Sequence, residues 1–148
     1  MQKIIVITGP TGVGKTKLSI ELAKKYNGEI INADSMQIYR ELNIGTAKIR
    51  EDEKENIPHH LFDIKNVDEE YTIYHYQKDL RNKIDELNKN GKRIIIVGGT
   101  ALYLKAGLFD YTLEESNSNR DLSRYTDEEL VNELKKLDKD IDIDFNNR

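Results

Sequence analysis

The run Gly9-Pro10-Thr11-Gly12-Val13-Gly14-Lys15-Thr16 limits the possible folds more than any other part of this chain. It has the spacing glycine, four residues, then Gly-Lys-Thr, which needs a strand entering and a helix leaving. Lys3 to Thr8 is rich in β-branched residues and reads as a buried strand ended by Gly9-Pro10. Thr16 to Tyr26 reads as the helix, with Leu18, Leu22 and Ala23 on one side and Gly28 just past its end. Glycines allow backbone N–H groups to turn inward on phosphate oxygens, and the helix adds its positive end. Lys15 supplies a fixed charge, and the Thr16 hydroxyl can hold a magnesium ion, Mg2+, that bridges phosphates. Gly9 through Thr16 is therefore expected to grip a diphosphate or triphosphate. The plainer alternative is a glycine turn that binds nothing; the flanking strand and helix weigh against it. The pattern identifies the anion and leaves the reaction open.

The remaining chain continues the alternation. Glu29 to Asn32 is a second short strand, residues 40 to 60 read as irregular, and Leu61 to Ile64 is a candidate third strand. From Thr72 to Asn90, Ile73, Tyr76, Leu80, Ile84 and Leu87 recur at helical spacing, and Gly91 stops the helix. Arg93 to Val97 is another buried strand, leading through Gly98-Gly99 into a helix over about Thr100 to Ala106. Such alternation predicts an α/β fold: a P-loop NTPase-like, mainly parallel sheet flanked by helices. Ligands in such sheets bind beyond the carboxyl ends of the strands. Gly9 to Thr16, Ala33 to Gln37 and Gly98 to Thr100 are thus expected to converge on one crevice. Residues 1–109 form this core, and 110–148 a small helical appendage. Thr126 to Leu137 is its helix, opened by a Thr126-x-x-Glu129 capping box. The chain stops at Asn147-Arg148 without a stop signal, as expected of a fragment.

Composition narrows the class. At 148 residues the chain fits one domain. The apolar runs Ile4 to Ile7 and Ile94 to Val97 are strand-sized, far too short to span a bilayer, and no secretion signal opens the chain. Cysteine is absent, which excludes disulfides and cysteine-ligated zinc within the chain and agrees with a cytoplasmic protein. A net charge of -4 argues against a generally basic nucleic-acid surface, though not against a local one. A monomer without membrane attachment is expected.

Several residues carry competing readings. Ordinary P-loop NTPases end a second buried strand in a magnesium-holding acid, but Arg93 to Val97 ends in Gly98-Gly99-Thr100. Those residues are either a close approach of backbone to ligand or a tight turn with Thr100 as N-cap, and both can hold at once. Asp34 is the acid at a strand end. It can take a proton from an acceptor nucleophile, bind magnesium through water, or simply cap a turn. Ser35 and Gln37 add a hydroxyl and an amide, groups that read base edges. Pro58-His59-His60 invites a metal reading, but adjacent histidines tend to point apart and no further ligand set is evident; a structural histidine near the phosphate is the stronger expectation. Tyr71, Tyr74 and Tyr76 could stack on bases, while Tyr76 sits in an apolar stripe and reads as core. The charged run Arg50 to Glu55 reads as a solvated face.

Five blocks occur in order: Gly9 to Thr16, Asn32-Ala33-Asp34-Ser35-Met36-Gln37-Ile38-Tyr39, Gly45-Thr46-Ala47-Lys48, Pro58-His59-His60-Leu61 and Val97-Gly98-Gly99-Thr100-x-Leu102-Tyr103. Together they resemble the tRNA dimethylallyltransferase family, over roughly residues 4 to 108. The resemblance implies transfer of a dimethylallyl group from dimethylallyl diphosphate to the exocyclic amine of the adenosine beside the tRNA anticodon. It implies that Gly9, Pro10, Thr11, Gly12, Val13, Gly14, Lys15 and Thr16 hold the diphosphate, with Lys15, Thr16 and Mg2+ neutralising the leaving group. By the same resemblance Asp34 is the general base, Asp34, Ser35, Met36 and Gln37 contact the flipped-out adenosine, and Thr100 touches the tRNA anticodon stem-loop. Departures from the family pattern are Ile49 in place of a proline, expected to matter little, and Ala101 in place of glycine. Arg120 and Arg124 are two candidates for a tRNA-contacting arginine, and Asp144 to Arg148 resembles the start of a later arginine-rich block. The rivals are a small-molecule P-loop kinase with Asp34 as base, an isopentenyltransferase acting on free adenine nucleotides, and a truncated domain that binds diphosphate without turnover.

Overall fold

The structure is a computed structural model that describes residues 3–113 and 124–137. Its centre is a four-stranded sheet of β1 (Ile5–Ile7), β2 (Gly28–Asn32), β3 (His59–His60) and β4 (Arg93–Val97), ordered β1-β4-β2-β3. Every pairing is parallel, with Ile7 beside Val97, Asn32 beside Val97, and Ile31 beside His60. Helix α1 (Lys15–Tyr26) packs on one face and α2 (Ile73–Lys89) on the other, with α3 (Ala101–Leu108) against α2. This double cover explains the unbroken Ile94-Ile95-Ile96 run, all fully buried: Ile94 and Ile96 join the α2 side, Ile95 the α1 side.

Four expectations shift in detail. The short third strand is His59–His60, because Leu61 and Asp63 adopt left-handed backbone, φ 60° and 54°, which no strand tolerates. Asn27, not Gly28, is the left-handed cap of α1. Gly28 instead opens β2, where a Cβ would sit 2.8 Å from the Arg93 carbonyl. The buried face of α1 is Ser19, Ile20 and Ala23, while Leu18 stays exposed. A small Ser19, its Oγ turned back to the Thr16 carbonyl at 2.7 Å, lets the helix lie close on Ile30 and Ile95. Finally, α3 runs through Gly107 to Leu108, where a Cβ on Gly107 would meet Leu80 at 2.2 Å. Gln77 donates to the Ala106 carbonyl and Arg81 to that of Phe109, so α2 satisfies the open end of α3.

Contacts divide the chain into two units, Met1–Glu114 and Glu115–Arg148. In the second, α4 (Asp127–Leu137) has the expected capping box, with Thr126 Oγ1 accepting from the Glu129 N–H and the Glu129 carboxylate accepting from the Thr126 N–H at 2.8 Å. No described helix is long and apolar enough to cross a membrane.

Candidate active site

Because β4 lies between β1 and β2, the three strand exits are neighbours. The middle exit must be thin. A Cβ on Gly98 would lie 2.1 Å from the Ala33 carbonyl carbon, whereas one on Gly99 would make ordinary contact with the Gly9 oxygen at 3.8 Å. The Gly98 N–H reaches the Ile7 carbonyl at 3.2 Å, and the Ala33 N–H reaches Val97 at 2.8 Å. Gly98 is thus a seam that holds the β1 and β2 exits at backbone distance.

On the β1 side, Gly12 and Gly14 carry φ of 84° and 89°, which L-residues with a side chain rarely adopt. Gly14 is also the N-cap of α1 and offers no side-chain acceptor to the first-turn N–H groups. Unpaired N–H groups at a helix N-terminus are suited to an anion. The Lys15 ammonium donates to the carbonyls of Gly9 (2.9 Å) and Pro10 (2.7 Å), which fixes it across the loop.

On the β2 side, Asp34 is half-buried. One carboxylate oxygen accepts the Met36 N–H at 3.0 Å, so Asp34 does cap a turn. It also lines both neighbouring cavities. Burial, with added repulsion from Tyr39 and Asp34, pushes the Tyr103 hydroxyl up to about 12. Ser35 and Thr100 face each other: the Thr100 hydroxyl accepts the Ser35 N–H at 3.0 Å and donates to its Oγ at 3.3 Å. Thr100 holds the N-cap position of α3, but its side chain makes no cap hydrogen bond. The Gln37 amide donates to the Thr46 carbonyl at 2.8 Å.

The larger cavity, about 710 Å³, brings together Thr11, Gly12, Gly14, Lys15, Thr16, Asp34, Gln37 and Gly98 from all three exits. A second, about 550 Å³, is lined by Thr11, Asp34, Met36 and the Glu41–Thr46 turn. Gly9, Pro10, Val13, Ser35 and Thr100 line neither. Among the described residues no group of three or more His, Cys, Asp or Glu could hold a metal. Thr16, at the first turn of α1, fits the smaller demand of a magnesium ion shared with phosphates, which takes one or two protein oxygens.

A profile of the IPP transferase family matches residues 37–148. The chain belongs to the IPP transferase family. It is 50% identical over 141 residues to the tRNA dimethylallyltransferase of Anoxybacillus flavithermus, covering 93% of this chain and 45% of that protein. It is 58% identical over 113 residues to the enzyme of the same name from Enterococcus faecalis, covering 76% and 37%. A eukaryotic dimethylallyltransferase acting on tRNA superposes with a TM-score of 0.80 at 40% identity, over 95% of this chain and 37% of that one. The full-length tRNA isopentenylpyrophosphate transferase of Bacillus halodurans gives 0.75 at 38% identity, over 95% and 49%. The chain spans less than half the length of these relatives.

Other family blocks take defined places. The two histidines point apart, as adjacent strand residues do. His60 Nε2 meets Glu29 at 2.7 Å, whereas His59 lines the larger cavity with its Nδ1–H on the Ile57 carbonyl at 2.7 Å. Burial lowers the His59 pKa below its ordinary value. Ile49, where the family commonly has proline, packs against the α1-side core, as Phe62 does, and lines the larger cavity. Tyr76 is core, as its stripe indicated, with a ring stacked on Tyr103 at 3.9 Å. Arg50 to Glu55 forms a 3-10 turn, Glu51–Glu53, with ion pairs from Arg50 to Asp52 and from Lys54 to Glu51. Arg124 lies just before α4, while Arg120 and residues 144–148 lie outside the described residues.

Sequence reasoning gave no role to Lys48. Its buried ammonium pairs with Asp63 at 2.6 Å and donates to the Tyr39 carbonyl, tying the 39–48 loop to the segment after β3. A lysine directly after Gly-Thr-Ala was visible, but nothing local marked it as buried.

Proposed function

We propose that this chain carries the diphosphate grip and the base of a tRNA prenyl-transfer site. The observation that carries the reading is that Asp34 lines both cavities, one containing the P-loop and the other opening beside Met36 and the Glu41–Thr46 turn. A donor held by its diphosphate on Gly12, Gly14, Lys15 and Thr16 and an acceptor adenosine beside Met36 would then meet at Asp34. The names of the relatives, tRNA dimethylallyltransferases, supply the identity of that pair.

The exocyclic amine nitrogen attacks the allylic carbon. The carbon–oxygen bond breaks and its electron pair leaves with the diphosphate. Asp34 accepts the amine proton, for which its carboxylate oxygen not engaged by Met36 is suited. Lys15 and the N-terminal N–H groups of α1 stabilise the charge that develops on the leaving group. Thr16 would hold a magnesium ion, which adds positive charge to the diphosphate when bound. Ser35 and Thr100 brace the acceptor side through their mutual hydrogen bonds.

The test incubates the chain with labelled dimethylallyl diphosphate and an anticodon stem-loop, with ATP and free adenine nucleotides as competing partners. Label in the RNA is the expected result. Phosphoryl transfer from ATP, or label on a free nucleotide with none in RNA, would transfer the site to one of the rival enzymes. Binding of inorganic diphosphate with no transfer to any acceptor would reduce the function to binding.

A further inference from the structure

We propose that Asn32 is the positioning residue of Asp34, a buried amide that clamps the aspartate's peptide from both sides. The proposal rests on the reading of Asp34 as the base. Asn32 ends β2 and is fully buried, a polar side chain where the strand pattern calls for an apolar one. Its Oδ1 accepts the Asp34 N–H at 2.9 Å. Its Nδ2 donates to the Asp34 carbonyl at 2.9 Å and to the Leu61 carbonyl at 3.0 Å. Both amide protons and the amide oxygen are thereby engaged. The Asn32 backbone carbonyl accepts the Tyr76 hydroxyl at 2.9 Å, and Tyr76, fully buried, stacks on Tyr103.

Three replacements show what the amide supplies. Aspartate would set a second acceptor against two carbonyls and bury a charge. Serine can accept the Asp34 N–H, but its single proton cannot replace both donors of the amide. Leucine would leave the Asp34 N–H and the Leu61 carbonyl without partners, and the Asp34 carbonyl with the Gln37 N–H alone. The arrangement also accounts for Leu61, a non-glycine residue at φ 60°: the left-handed turn presents its carbonyl to Asn32. With the peptide fixed, Asp34 Oδ1 meets the Met36 N–H and the other oxygen is left for the cavities that Asp34 lines.

The Met36 amide therefore reports on the Asp34 carboxylate. In the 15N-labelled chain its chemical shift is followed on acidification. Wild type is expected to show a step that Asp34→Asn abolishes, which separates it from Glu41, the other carboxylate lining the second cavity. Asn32→Leu should shrink the step at least about threefold, the scale set by losing hydrogen bonds of ordinary strength. Asn32→Ser, whose hydroxyl can still accept the Asp34 N–H, should fall between. Amides of β1 and α2 should keep their wild-type shifts, and inorganic diphosphate should still bind, responses that a general loss of structure would not leave in place. A full-sized step in Asn32→Leu, or in Asn32→Ser should the leucine variant not fold, overturns the proposal; so does the absence of a step in wild type. Failure of the catalytic reading is seen separately, as prenyl transfer indifferent to Asp34→Asn.

Discussion

The two ends of the site are built by opposite means. The proposed phosphate end is eight consecutive residues whose shape lies mainly in the backbone: glycines at φ 84° and 89°, a helix N-terminus and one lysine folded over its own loop. The Asp34 end is held by side chains from distant parts of the chain. Asn32 reaches Leu61 29 residues on, Tyr76 returns to Asn32 over 44, and Thr100 joins Ser35 over 65. A local motif tolerates change elsewhere in the fold, whereas an assembled one depends on every element that supplies a contact. Substitutions at the second end should therefore damage it while leaving the first intact.

Gly98 is the exception, since it lies against both ends. Gly98→Ala forces a Cβ to 2.1 Å from the Ala33 backbone, and backbone cannot step aside as a flexible side chain can. A loss of more than about 3 kcal/mol is expected in urea unfolding, with diphosphate binding lost as well. A fully stable Gly98→Ala chain would break the view of Gly98 as a seam.

Lys48→Met sharpens the contrast. It removes a buried cation from Asp63 and leaves the Tyr39 carbonyl without its partner. The expected cost is roughly 2 kcal/mol, below that of a fully buried pair because Asp63 keeps solvent contact. Calorimetric titration should find the affinity for inorganic diphosphate unchanged. An equal loss of diphosphate affinity would show that the two ends are not separable.

The smallest effect concerns pH. Burial is the main cause that lowers the His59 pKa from 6.5, so the unfolded chain binds more protons than the folded one just below that value. The contribution to stability is present above 6.5 and is lost as pH falls toward the lowered folded value. His59→Asn should reduce the drop in Tm between neutral and mildly acidic buffer. An unchanged drop would assign it to other groups.

This contrast also explains what could be read from the sequence. The P-loop, the Ile94–Ile96 strand and the α2 stripe are written in adjacent residues or in a single period, and the structure has them where the pattern indicated. The short strand at His59–His60 was displaced by two residues because the left-handed conformations of Leu61 and Asp63 depend on tertiary contacts. The hydroxyl of Thr100 fits an N-cap by type, yet it turns to Ser35, a partner no local pattern reveals. Ile49 and Lys48 were obscured for the same reason: their burial comes from segments that approach only in the folded chain.

The central claim is that one site grips the diphosphate at one end and removes the acceptor proton at the other. Its most direct test measures inorganic diphosphate binding and dimethylallyl transfer to the anticodon stem-loop side by side in wild type and Asp34→Asn. The account predicts equal diphosphate affinity and a transfer rate lower by at least about a hundredfold in the variant. Transfer by Asp34→Asn at the wild-type rate would contradict it.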